Sequence, residues 1–76
     1  MKDYIDRITE LRIDNDVKQE TIAKLLNTYQ SNYSKIEKRK RNLSIENLMT
    51  LCQFYKVSAD YILFGWLLII DLMGGS

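Results

Sequence analysis

The chain has 76 residues, of which 46% are hydrophobic and 28% charged, with a formal net charge of +1. So short a chain is one domain that buries only about 60% of the surface its unfolded form exposes, and its ordinary composition excludes disorder as the default. It has no histidine and a single cysteine, Cys52, which excludes an intramolecular disulfide and leaves a zinc site without ligands.

With no proline, three glycines and much Leu, Ile, Lys and Glu, the chain reads as all-α. The first predicted helix runs from Asp3 to about Asp14, with Ile5, Ile8 and Leu11 on one stripe and Tyr4 and Arg12 beside it. Asn15 and Asp16, which tolerate the left-handed conformation, end it. Asp16 is also a candidate cap for the second helix, since Lys18 is a poor one. That second helix covers Gln19 to about Leu26. Val17 anchors it, and Ile22, Ala23, Leu25 and Leu26 form its apolar stripe. Asn27, Thr28 and Tyr29 make a tight turn into a third helix, Gln30 to about Lys38, whose apolar stripe is only Tyr33 and Ile36.

The remaining positions of this third helix are Gln30, Ser31, Asn32, Ser34 and Lys35. They are mostly neutral donors and acceptors rather than the Lys/Glu mixture of an ordinary solvated face, and side chains of that kind read DNA base edges. The helix runs into Lys38-Arg39-Lys40-Arg41, so that the window from Lys35 to Arg41 holds five cations against Glu37. Cations at a helix end complement its dipole, but four in succession exceed that need and point to phosphate contact. Residues 1–16 carry three basic and five acidic side chains, residues 17–41 seven and two, and residues 42–76 one and three. Positive charge focused in the central third favours a polyanion docking on one face.

Ser44 caps a fourth helix, with Leu43 and Leu48 spaced as a hydrophobic staple and Leu48, Met49, Leu51, Cys52 and Tyr55 as its core face. Cys52 there is core filler, because no histidine is present to activate a nucleophile. Ser58 caps a fifth helix, Ala59 to Phe64, with Asp60 in its first turn, and Gly65 ends it. Trp66, Leu67, Leu68, Ile69, Ile70, Leu72 and Met73 then place seven large apolar residues within eight positions. At about 1.5–3 kcal/mol for each side chain taken out of water, these must pack on the domain's own core or in a homodimer or partner interface, as helix or as strand. The run contains Asp71 and falls short of the roughly 20 residues of a membrane span. The acidic, amphipathic start, Met1 to Glu10, does not read as a secretory signal. A soluble, cytoplasmic protein without membrane, metal or cofactor is expected.

Leu11-Arg12, Lys18-Gln19-Glu20, Ala23, Tyr33-Ser34-Lys35-Ile36-Glu37, Lys40-Arg41-Asn42 and the run Val57 to Leu63 succeed one another in a characteristic order and spacing. Over Ile8 to Gly65, more than two thirds of the chain, they resemble the lambda repressor-like, Cro/CI-type helix-turn-helix family. Four positions depart from its pattern: Asn27 where Gly is common, Thr28 where an aliphatic residue enters the core, Tyr29 in place of a Ser or Thr cap, and Arg39 where Gly often ends the third helix. The resemblance implies a compact five-helix DNA-binding domain, here residues 1–65, and the apolar run beyond it stands as a C-terminal extension, 66–76.

It also implies roles for individual side chains. Gln19 would hold a backbone phosphate and buttress Gln30, whose amide would bond bidentately to an adenine, while Ser31, Asn32, Ser34 and Lys35 would meet other bases or nearby phosphates. Lys38, Lys40, Arg41 and Asn42 would sit on the phosphate backbone, and Arg12 and Glu37 would form a structural ion pair, while Tyr29, a departure from the family's cap, is free to reach a phosphate or a base. The function expected is a sequence-specific regulator of double-stranded DNA, a repressor binding an inverted repeat as a homodimer. The alternative is a protein-interaction module, such as the antitoxin of a toxin–antitoxin pair, whose tail clasps a partner. An enzyme is not expected from a chain with no histidine, no metal-ligand cluster and no phosphate-cradling Gly-rich loop.

Overall fold

The computed structural model describes residues 2–65, which form five helices and no strand: α1 (Tyr4–Asp14), α2 (Gln19–Leu25), α3 (Gln30–Glu37), α4 (Ile45–Tyr55) and α5 (Ala59–Phe64). Their starts are set by short-range hydrogen bonds. The Asp6 amide donates to the Asp3 carboxylate at 3.0 Å and the Asp3 amide to Asp6 at 3.1 Å, a reciprocal box that opens α1. Ser44 accepts from the Asn47 amide at 3.1 Å and Ser58 from the Tyr61 amide at 3.0 Å, so both expected serine caps are in place.

The ends of α1, α2 and α3 use one device, a left-handed residue closed by two backbone bonds. At Asp16 (φ 57°) the Asp16 and Val17 amides donate to Ile13 and Arg12; at Asn27 (φ 60°) the Asn27 and Thr28 amides donate to Lys24 and Ala23; at Arg39 (φ 63°) the Arg39 and Lys40 amides donate to Ile36 and Lys35. Asp16 therefore ends α1 and does not cap α2. Lys18 takes that N-cap position, with extended backbone and no side-chain hydrogen bond. Lys56 (φ 59°) and Gly65 (φ 70°) close α4 and α5.

Each helix contributes one fully buried large side chain to a shared centre: Ile8, Ile22, Tyr33, Leu51 and Ile62. Ile5, Ala23, Leu26, Ile36, Leu48 and Cys52 complete the core, with Leu11, Val17 and Leu43 packed against it. Two residues expected in apolar stripes lie outside it, Leu25 at 37% and Met49 at 47% exposure. Each sits one position, about 100° of helix rotation, from a buried neighbour, Leu26 or Leu48, and so falls beyond the edge of the contact. Burial pushes the Cys52 thiol pKa up, consistent with filler chemistry.

α2 packs on α3, α3 on α1, and α1 on α5, which also meets α4. The Arg7 side chain straps the joint between α1 and α5. Its Nε donates to the Ile62 carbonyl at 2.6 Å and Nη2 to the Leu63 carbonyl at 2.8 Å, satisfying acceptors that the end of α5 leaves open, while Nη1 reaches the Lys2 carbonyl at 3.0 Å. Gly65 suits this left-handed position, and a Cβ there would stand 3.0 Å from the tip of the Arg7 side chain at Nη1, which would have to give slightly. The apolar run from Trp66 to Met73, and with it the choice between helix and strand, lies outside the described residues.

Candidate nucleic-acid interface

The polar face of α3 exists because its short apolar stripe is used up by the core. Tyr33 is fully buried and Ile36 is 5% exposed, whereas Gln30, Ser31 and Lys35 are exposed and Asn32 and Ser34 partly so. Tyr29 stands at the N-cap with no side-chain hydrogen bond and 78% exposure, so no side chain of its own caps the positive end of α3. Lys24, Asn27, Thr28 and Tyr29 line a shallow polar depression there. Thr28 is half-buried, and its hydroxyl accepts from Asn32 Nδ2 at 3.1 Å. That bond ties the first turn of α3 to the turn before it.

The other end of α3 is held by Glu37. Arg12 Nε donates to its Oε2 at 2.7 Å and Nη2 to its Oε1 at 3.1 Å, a two-pronged pair joining α1 to α3, and Arg12 Nη1 also reaches the Val17 carbonyl at 3.0 Å. The side chains of Arg12 and Glu37 are only 16% and 7% exposed. Burial works against the charged carboxylate, but the Arg12 guanidinium, with the Tyr33 hydroxyl and the Gln19 amide nearby, outweighs it and lowers the Glu37 pKa. The Tyr33 hydroxyl is buried beside this carboxylate, and burial together with the interaction with Glu37 pushes its pKa up.

Gln19 donates to Glu37 Oε1 at 2.9 Å. The expected buttress from Gln19 to Gln30 is thus not made directly: Glu37 takes the Gln19 amide, because the carboxylate retains an acceptor site beyond those Arg12 occupies. The Gln30 side chain is exposed and makes no hydrogen bond among the described residues. The two glutamines nevertheless line one depression with Arg12, Lys18 and Glu20, so Gln19 and Gln30 share a surface at the α2–α3 junction.

Beyond α3, Lys38, Lys40, Arg41 and Asn42 are exposed, and the three cations have no ion-pair partner among the described residues. Arg39 behaves differently. Its Nη2 meets Asp3 Oδ1 at 2.9 Å and Asp6 Oδ1 at 2.8 Å, and its Nε meets Asp3 Oδ2 at 3.2 Å. Hydrogen bonds from Arg39 and from the Asp6 amide hold the Asp3 carboxyl at about 2, and Arg39 likewise lowers Asp6. Arg39 and the α5 contacts of Arg7 both escape sequence reasoning, since those partners lie 33 to 56 residues away and no local spacing announces them.

The arrangement presents a polar helix face, one junction of two glutamines and a cationic loop, all carried by a closed core. Among curated proteins none matches the chain. A solved structure to which it is similar is the P22 c2 repressor protein in complex with synthetic operator 9T in the presence of Tl+: 25% identity, covering 86% of this chain and 98% of that one, with a TM-score of 0.74. The helix-turn-helix family matches residues 8–62, from within α1 to within α5. With most of its length so matched, the chain belongs to the helix-turn-helix family of DNA-binding regulators.

Proposed function

We propose that this protein is a transcriptional repressor that binds an inverted-repeat operator as a homodimer, each protomer placing α3 in a major groove. Residues 1–65 are its DNA-binding domain and 66–76 its apolar dimerisation segment, and it works in the cytoplasm. The observation that carries the reading is the outer face of α3: neutral amides and hydroxyls at Gln30, Ser31, Asn32 and Ser34, with Lys35 beside them, on a helix whose inner face is locked by Tyr33, Ile36 and Glu37. Amide side chains suit adenine and hydroxyls suit several base edges, whereas a solvated face would need neither.

Phosphate contacts frame that face. Lys38, Lys40, Arg41 and Asn42 come after α3, Tyr29 precedes it, and Gln19 stands at the start of α2 with its amide already oriented by Glu37. These residues position the protein on the backbone and give binding its salt dependence. Likeness to a repressor solved on an operator supports the same geometry. Two reading helices related by a two-fold axis would enter successive major grooves about 34 Å apart.

Selection of bound duplexes from a random DNA pool tests the proposal. A recovered palindrome whose half-sites repeat at about one helical turn is the expected result. Failure to enrich any sequence at low salt would overturn it.

A further inference from the structure

We infer that Arg39 is a positioning residue for DNA binding: held by Asp3 and Asp6, it sets the loop that carries Lys40, Arg41 and Asn42 and is not itself a phosphate ligand. The inference rests on the DNA-binding reading above and deepens it. It starts from an anomaly in the run Lys38-Arg39-Lys40-Arg41, where the sequence offers four equivalent cations and the fold uses one of them differently. Arg39 makes three hydrogen bonds to the first turn of α1, while Lys38, Lys40 and Arg41 have no ion-pair partner among the described residues.

Backbone geometry supports the same division. Arg39 is left-handed, φ 63°, a conformation that glycine adopts without cost and that arginine adopts against steric resistance. Its side chain therefore supplies something glycine would not. Its guanidinium spans both carboxylates of the α1 capping box, so the start of α1 and the end of α3 are joined across 33 and 36 residues of chain. The next residue, Lys40, donates its amide to the Lys35 carbonyl at 2.8 Å, which fixes the direction in which the loop leaves α3. With Arg39 anchored, the path through Lys40, Arg41 and Asn42 to the Ser44 cap begins from a set point.

Simple charge counting makes the opposite forecast from the clamp, and that makes the test sharp. Asp3→Asn together with Asp6→Asn removes two negative charges from a protein that binds a polyanion, while asparagine retains the side-chain oxygen that caps α1. Charge counting expects tighter binding; the clamp expects weaker binding. Full-length protein is titrated with a short mixed-sequence duplex by fluorescence anisotropy across roughly 50 to 200 mM salt, well below each variant's melting temperature. Asp14→Asn serves as the charge control.

The doubly substituted protein should bind about three- to tenfold more weakly, Arg39→Gln should match it, and combining all three changes should add little. In Arg39→Gln the slope of log affinity against log salt should stay at the wild-type value, whereas Arg41→Ala should reduce it by about one. Binding that is unchanged or tighter in Asp3→Asn/Asp6→Asn, or a slope in Arg39→Gln that falls as it does in Arg41→Ala, would overturn the inference. If wild-type protein shows no salt-dependent binding to any duplex, the DNA-binding reading fails first. Hydrogen exchange of the Lys40 amide then judges the clamp alone: faster exchange in Arg39→Gln supports it, and unchanged exchange overturns it.

Discussion

Glu37 and Gln30 lie on the same helix with opposite assignments, and burial separates them. The Glu37 side chain is 7% exposed and serves Arg12 and Gln19, so it is structural although it lies on the helix proposed to read bases. Glu37→Gln keeps the shape but leaves the Arg12 guanidinium facing a neutral amide. The cost should be about 2–3 kcal/mol by urea denaturation, short of a fully buried pair because Arg12 retains the Val17 carbonyl. The Gln30 side chain is exposed and unbonded among the described residues, so Gln30→Ala should leave stability nearly unchanged. It should instead weaken binding to the selected operator by roughly 1–3 kcal/mol and relax preference at one base pair. Equal weakening on every duplex tested would contradict a base-reading role.

The helix ends show what can be read locally and what cannot. Ser44 and Ser58 cap α4 and α5 through amides three positions on, a spacing visible in the chain itself, and Asn27 takes the left-handed place its chemistry favours. Leu25 and Met49 mislead, because periodicity locates the centre of an apolar stripe but not its width, which the neighbouring helix sets. Arg39 and Arg7 are illegible for a different reason: their partners are long-range, and only the packing of α1 against α3 and α5 brings them together. Of the interface, the polar positions of α3 can be read from its pattern, whereas the diversion of Gln19 to Glu37 depends on three elements meeting.

Helix ends also carry measurable energies. Lys56 is left-handed at the end of α4 with an exposed side chain, so Lys56→Gly should stabilise the domain by about 0.5–1 kcal/mol, the steric relief less the entropy that glycine loses on folding. A lower denaturation midpoint would show that the lysine side chain contributes there after all. Between α1 and α3, the Asp3 carboxyl is held at about 2 against an ordinary 3.8, and Asp6 is lowered too. A depressed pKa means that the unfolded chain binds the proton first. The joint's contribution is therefore complete above about pH 4 and is lost as pH falls through about 2. Thermal melts should fall more steeply over that window in wild type than in Arg39→Gln, and carboxyl titration by NMR should move Asp3 back toward 3.8 in the variant. Melting curves of equal steepness would remove the joint from the acid response.

At the scale of the molecule, each of the five helices buries one large side chain fully in the shared core, Ile8, Ile22, Tyr33, Leu51 and Ile62. The sequence then adds seven large apolar side chains from Trp66 to Met73. Apolar side chains in this number are unfavourable in water, and in the proposed homodimer a second copy covers them and supplies the two-fold axis an inverted repeat requires. A chain ending at Gly65 should therefore keep its helical signal and cooperative melting while changing from dimer to monomer in sedimentation. Its affinity for a single half-site should be unchanged. On a palindromic duplex it should lose about 10²- to 10⁴-fold, because the second helix no longer arrives tethered to the first. A shortened chain that still sediments as a dimer would place the interface within residues 2–65. A full-length chain that sediments as a monomer, with its tail prone to self-association, would point to a different protein as the tail's partner, and the operator would then be read by one domain at a time.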